Sequence, residues 1–209
     1  MTETKCLNLF AGLGGNRKDW PLDCRVTAVE LNPKIAAFYQ KEFPKDDVII
    51  ADAHQFLIDH YAEFDFIWSS PPCQTHTRFN YLKYSIPQYK KKYPDMTLYQ
   101  EIIFLTQFFK GKFCVENVIS YYAPLIKPQQ AANHYFWSNF SIPSIKKTPR
   151  DIQSKNGISK KMKRVPFILG PEFTQREKLQ FLNNCVTPKI GRYVFDCAFK
   201  LKQKLLCED

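Results

Sequence analysis

Short apolar runs alternate with amphipathic stretches through the first two-thirds of the chain, the pattern of βαβ units wound around a parallel sheet. Cys6-Leu7-Asn8-Leu9-Phe10 reads as a buried strand and Ala11-Gly12-Leu13-Gly14-Gly15 as the tight turn after it. Arg25 to Glu30 reads as a second strand, and Asn32-Pro33 as the start of a helix running to about Phe43. A third strand is expected over 47–51, followed by a helix through Ile58. A fourth over 64–68 ends at Ser69-Ser70-Pro71-Pro72-Cys73. Residues 74–96 carry little periodicity. Leu98, Ile102, Leu105 and Phe109 then share one face of a helix, and a fifth strand over 112–115 closes on Glu116-Asn117. A further strand is expected over 135–142, and an amphipathic helix over roughly 188–206.

A chain of 209 residues can bury one sizeable core, so a single domain with one embellishment is expected. The composition shifts at Pro143, where Lys146, Lys147, Arg150, Lys155, Lys160, Lys161, Lys163 and Arg164 outweigh Asp151. The division expected is therefore a core over 1–142, a basic segment over 143–183 and a return to the core over 184–209. No apolar run reaches membrane-spanning length and the N-terminus has no signal-peptide pattern, so a cytoplasmic protein is expected. Seven cysteines, with no CxxC spacing, encode neither a disulfide framework nor a zinc site, and no metal is expected. A net charge of +10 favours a polyanionic partner.

The glycine turn after the first strand lets the backbone bend sharply and approach a ligand. Glu30, at the end of the second strand, stands where nucleotide-type folds grip ribose hydroxyls. Asp52, at the end of the third, suits an adenine amino group and equally the N-cap of the next helix. The turn lacks the full GxGxxG of dinucleotide folds. Pro71-Pro72-Cys73-Gln74 and Glu116-Asn117-Val118 close successive strands on the same rim. Singly, Cys73 reads as a buried structural thiol and Glu116 as a strand end facing solvent. Jointly they suit methylation of cytosine C5, a carbon too weakly nucleophilic to act alone. Thiolate addition at C6 makes it an enamine, while a carboxyl group at N3 stabilises the charge that develops.

FAGLGG at 10–15, VELNP at 29–33, PPCQ at 71–74, ENV at 116–118 and Asn184-Cys185-Val186-Thr187-Pro188 closely resemble, in order, motifs of the cytosine-C5 DNA methyltransferase family. The resemblance implies a Rossmann-like α/β methyltransferase fold and S-adenosylmethionine as methyl donor, released as S-adenosylhomocysteine. It implies Cys73 as nucleophile, Glu116 as the carboxyl at N3 and Asn117 as a brace for the nucleophile's loop. Phe10, Gly12, Leu13, Gly14, Glu30, Leu31, Asp52, Ala53, Pro72, Leu98, Asn184 and Val186 would line the cofactor pocket. Cys73 is expected to be partly deprotonated or readily activated, and alkylated faster than the other six cysteines when cofactor is absent.

The chain departs from the family pattern in three places. Asn183 stands where a glycine is usual, and is expected to keep that turn by adopting positive φ. The family's Gln-x-Arg-x-Arg segment has its best counterpart in Gln130-Ala131-Ala132-Asn133-His134, without either arginine, so that Arg78 or His134 would have to substitute. The segment 143–183 is far shorter than the usual target-recognition domain, which implies relaxed specificity or a partner subunit or homodimer that supplies recognition. DNA contacts are expected from Gln74, Arg78, Lys83, Lys90, Lys91, Lys92 and His134, and from Lys160, Lys161, Lys163 and Arg164 on phosphates, with Phe79, Tyr81, Tyr84, Tyr89 and Tyr93 free to stack or wedge. Two alternatives share the motifs: a transfer-RNA cytosine-C5 methyltransferase, and an inactive DNA-binding regulatory homologue.

Overall fold

The computed structural model describes residues 3–21, 23–145 and 165–200. Strands β1 (Thr4–Leu9), β2 (Cys24–Val29), β3 (Asp47–Ile49), β4 (Phe66–Ser69), β5 (Lys112–Val118), β6 (Gln129–Ala131) and β7 (His134–Ser138) form one sheet in the order β3-β2-β1-β4-β5-β7-β6. The first five run parallel, whereas β7 is antiparallel to β5 and β6. The order reverses between β1 and β4, and the crevice beyond the strand ends at such a switch point is where open α/β sheets bind ligands.

Alternation along the strands explains why the sheet is covered on both faces. Cys6, Phe66 and Trp68 pack on one side with Ile190, Tyr193, Val194 and Phe195 of helix α6 (Pro188–Phe199). Leu7, Leu9 and Ile67 pack on the other with α2 (Ala53–His60) and α4 (Thr97–Phe108) through Leu57, Leu98, Ile102 and Leu105. Each such Leu or Phe, fully buried, contributes about 1.5–3 kcal/mol. Helix α1 (Pro33–Glu42) starts where Asn32 caps it and proline occupies its first turn, and α2 starts where Asp52 accepts from the Gln55 amide.

Two expectations are corrected. The stretch after the nucleophile motif contains a short helix, α3 (Arg78–Tyr84), capped by Thr77. The strand expected over 135–142 is shorter, and belongs to a β6–β7 hairpin whose turn has Ala132 at φ 50°. The described end of the segment 143–183 packs on the core. Val165, Phe167, Leu169 and Phe173 are buried against Ile35, Phe38 and Tyr39 of α1, and helix α5 (Gln175–Asn184) adds Leu182 to that cluster. Residues 146–164, which hold Lys160, Lys161, Lys163 and Arg164, lie outside the described residues. No helix among the described residues is long and apolar enough to cross a membrane.

A buried polar network ties the glycine turn to this frame. Arg17 reaches Asp46 through two hydrogen bonds of 3.0 and 3.1 Å, Tyr39 donates to the same carboxylate at 2.9 Å, and Asn16 donates to Asn8 at 2.7 Å. Pairing is what allows charges to persist under such burial. Helix α6 presses on the same place, since a Cβ at Gly191 would run into the backbone of Asn16. Gly191→Ala should therefore destabilise the protein by about 1–3 kcal/mol, an overpacking cost. Thermal unfolding followed by circular dichroism should show a Tm lower by about 2–10 °C, and an unchanged Tm would contradict that close approach.

Candidate active site

Where β1 ends, the chain turns through Phe10 (φ 53°), Gly12 (φ 53°) and Gly14 (φ 78°). Left-handed backbone is routine for glycine and an outlier for a bulky side chain such as Phe10. Glu30 secures the turn, because its carboxylate accepts from the Gly12 amide at 2.9 Å and from the Asn32 amide at 2.8 Å. Each carboxylate oxygen keeps further lone-pair capacity for a hydroxyl. Phe10, Gly12, Leu13, Glu30, Leu31, Asp52, Ala53, Pro72, Asn184 and Val186 line one cleft of about 780 Å³. That volume is within the range of small-molecule sites, and two carboxylates beside a glycine turn suit a nucleoside-bearing cofactor.

Two residues expected in this lining stand behind it. Leu98 is buried in the core on α4, and Gly14 backs onto the rings of Tyr39 and Phe43. Asn183 is also corrected: it lies in the last turn of α5 and not in a positive-φ turn, so the chain enters the 184–188 motif from a helix. His54, absent from the sequence reading, lines the cleft with its ring edge against Phe10, the centroids 5.1 Å apart. Its Nδ1 lies 2.7 Å from Glu101, a buried carboxylate that also accepts from Ser69 at 2.6 Å. The hydrogen bond to Glu101 raises the His54 pKa against the opposing effect of burial. Among the described residues no cluster of three or more side chains is fit to hold a metal ion.

At the other end of the same cleft the loop after β4 brings Cys73 and Gln74 beside Glu116 and Val118 of β5. Asn117 alternates away from Glu116 and donates its side-chain amide to the Pro71 carbonyl at 3.0 Å. Glu116 is gripped at both oxygens. Ser70, itself accepting from the Trp68 indole at 2.8 Å, donates to Oε2 at 3.0 Å, and His134 Nδ1 lies 2.6 Å from Oε1. The His76 and Thr77 amides close a turn on the Cys73 carbonyl at 3.0 and 3.1 Å, and the buried His76 ring meets the Tyr122 hydroxyl at 2.6 Å. Burial lowers the His76 pKa, so a neutral ring holds that anchor. Ser70, His54 and His76 were missed because each owes its place to a contact across the fold.

In the free protein the Cys73 thiol holds its proton, against the expectation of a partly deprotonated one. Burial first, and then the charge of Glu116, push the Cys73 pKa up to about 11. Cys185, on the same cleft, is pushed by burial to about 12.

The residues assigned to nucleic acid divide into three groups. Gln74 and His134 line the cleft. Arg78 does not; its Nε donates to the Ser120 carbonyl at 3.4 Å, so it is not the group at Glu116. Lys83, Lys90, Lys91 and Lys92 are exposed on or after α3, beside exposed Phe79, Leu82, Tyr89 and Tyr93. The side chains of Tyr81 and Tyr84 lie outside the described set.

Among solved structures, the methyltransferase EhMeth of Entamoeba histolytica superimposes with a TM-score of 0.57 over 97% of this chain and 100% of its own, at 12% identity. The likeness is one of fold. A mutant of DNMT2 from Spodoptera frugiperda is 26% identical over 55% of this chain and 35% of that one, with a TM-score of 0.39. The putative methyltransferase yhhF from Escherichia coli is 14% identical over 66% of this chain and 75% of its own, with a TM-score of 0.42. No curated protein sequence matches the chain significantly. The family model for C-5 cytosine-specific DNA methylase matches residues 4–122, more than half of the chain and all of the elements that carry the glycine turn, Glu30, Cys73 and Glu116. The chain belongs to the C-5 cytosine-specific DNA methylase family.

Proposed function

We propose that the protein transfers a methyl group from S-adenosylmethionine to C5 of cytosine in DNA, through a transient bond between Cys73 and C6. The observation that carries this reading is that Cys73 and Glu116 face one cleft whose other end bears the glycine turn, Glu30 and Asp52. The cofactor supplies an electrophilic methyl group. The chain does the rest: Phe10, Glu30 and Asp52 hold the nucleoside end, Cys73 adds to C6, and Glu116 stabilises the ring at N3. Loss of the C5 proton then expels Cys73.

A paired cytosine cannot offer C6 to a thiol, so the base must rotate out of the duplex. The exposed lysines and aromatic side chains of α3 and the residues after it support a surface that grips phosphates and wedges the strand there. Such contacts position DNA without reading it. With Val165, Phe167, Leu169, Phe173 and Leu182 anchoring the end of the segment 143–183 to the core, its short length favours a short or relaxed target or a partner that supplies recognition.

A raised thiol pKa fits a nucleophile switched on by its substrate. Cytosine at N3 would share a proton with Glu116 and remove the negative charge that now opposes the thiolate. In the free protein only about one Cys73 in a thousand is ionised at pH 8 for a pKa near 11. Alkylation of Cys73 by iodoacetamide should accordingly be slow, and rise about tenfold per pH unit from 7 to 10. Glu116→Gln removes the opposing charge and should speed alkylation at pH 8 by about three- to tenfold. A slower reaction in that variant would contradict the electrostatic coupling.

The function itself is tested by trapping. Incubation with cofactor and duplex DNA containing 5-fluorocytosine should give a covalent complex on denaturing gels, because fluorine cannot leave as a proton does. Cys73→Ser should abolish it. A fluorinated transfer RNA in a parallel reaction decides the substrate class: an adduct on RNA alone would replace DNA in the proposal. Absence of both adducts, with S-adenosylhomocysteine still bound, would mark a binding protein and not an enzyme.

A further inference from the structure

Behind the nucleoside end of the cleft, α4 buries the carboxyl group of Glu101, with 4% of the side chain exposed. Among the described residues no lysine or arginine pairs with it. Its Oε2 takes the neutral Ser69 hydroxyl at the end of β4, and its Oε1 meets His54 Nδ1 at 2.7 Å. A charge so enclosed persists when a partner offsets it, and the His54 imidazole is placed to do so. The chain Ser69–Glu101–His54 thus fixes the ring by its Nδ1 edge. The Phe10 ring packs against it, and 30% of the His54 side chain stays exposed in the lining of the cleft beside Asp52 and Ala53. Among the described residues no second hydrogen bond engages the ring.

We propose that His54 reads the adenine base of the cofactor, its Nε2–H donating to a ring nitrogen beside the amino group that Asp52 accepts. The assignment rests on the S-adenosylmethionine reading above and deepens it. Adenine presents an amino donor flanked by ring-nitrogen acceptors. An acceptor and a donor two residues apart at the start of α2 complement that edge. Asp52 caps the helix through one carboxylate oxygen, which leaves the other for the amino group, and an imidazolium donates from both nitrogens. A base with the reverse order, an oxygen in place of the amino group and a protonated nitrogen beside it, would meet like groups.

The donor lasts only while the ring is charged. The bond to Glu101 raises the His54 pKa against the effect of burial, and the charges of Glu101, Asp52 and Asp95 act in the same direction. These groups come from α4, from the cap of α2 and from the loop before α4; β1 and β4 contribute only Phe10 and the Ser69 hydroxyl. Glu30 adds negative charge along the cleft, which no lysine or arginine among the described residues lines. His76, the other imidazole facing Asp95, is pushed toward its neutral form by burial. A raised pKa means that the charged donor is present on the acid side and lost as pH rises through that value. Neutral His54, still donating from Nδ1 to Glu101, turns a lone pair toward the base's own acceptor.

Calorimetry with S-adenosylhomocysteine and its 1-deaza and 7-deaza analogues tests this in the full chain without turnover. At about pH 6 wild type should bind one of the two analogues about 10- to 100-fold more weakly than the parent, the loss of a charge-assisted hydrogen bond. That discrimination should fade as pH rises to about 9.5, while the titration of the ligand's own amino acid cancels in the comparison. Equal affinity for all three ligands, or a discrimination constant with pH, overturns the proposal and needs no variant. His54→Asn keeps a donor toward Glu101 and removes Nε2, so at about pH 6 it should bind the parent about 10- to 100-fold more weakly and treat parent and analogue alike. His54→Gln carries an uncharged donor toward the Nε2 position and should recover part of the affinity, independently of pH. Glu101→Gln should move the wild-type loss to lower pH, because the bond that raises the His54 pKa is gone. Discrimination that survives in His54→Asn assigns the ring only to holding Glu101 and overturns its role at the base. A wild type that binds no S-adenosylhomocysteine sinks the methyl-donor reading as well, whereas equally tight binding by wild type and His54→Asn sinks the role of His54 alone.

Discussion

Glu116 is fastened at both oxygens, and much of the site is arranged around that fastening. Ser70 comes from the loop that carries Cys73, and His134 from a strand running the opposite way. The carboxyl therefore joins the parallel half of the sheet to its antiparallel edge at the point where a substrate ring would lie. Were β7 parallel to β5, the side chain at its first position would emerge at the far end of the ladder. The single reversal at the β6–β7 edge puts an imidazole on the catalytic rim.

The same rim organises the cofactor end. β1 and β4 diverge at the switch point, and their carboxyl ends carry the glycine turn and the cysteine loop. Helix α6 presses from behind on Asn16, and Asn16 is bonded to Asn8 on β1. Packing on the sheet's far face thus sets the shape of a turn whose job is to meet a ligand. No residue of α6 lines the cleft; the helix acts on it through Asn16, which does.

Burial decides the chemistry more than residue type does. Cys73 in water would be an ordinary thiol; enclosed beside a carboxylate it holds its proton. Under the proposed function, Cys73 would stay inert until a base entered and altered the charge next to it. Cys185 shares the cleft and is suppressed further by burial, so the two thiols differ through their surroundings.

Much of this was legible along the chain, because it rests on local chemistry. Short apolar runs marked β1, β2 and β4; Asn32-Pro33 marked a helix start because a side chain caps it and a ring presets its first φ. Motifs at strand ends placed Cys73 and Glu116 on one rim, since successive parallel strands share a carboxyl end. What remained hidden depends on distance through space. Leu98 is turned to the core by α4, Gly14 is backed by the rings of Tyr39 and Phe43, and Phe167 and Phe173 serve α1 because apolar side chains find the nearest uncovered face. The Cys73 proton is kept by burial and then by a charge 43 positions away in sequence at Glu116, and the His134 contact exists only through an antiparallel register. Local patterns state which elements form and where each ends; only their packing sets which side chains share a dielectric and a charge.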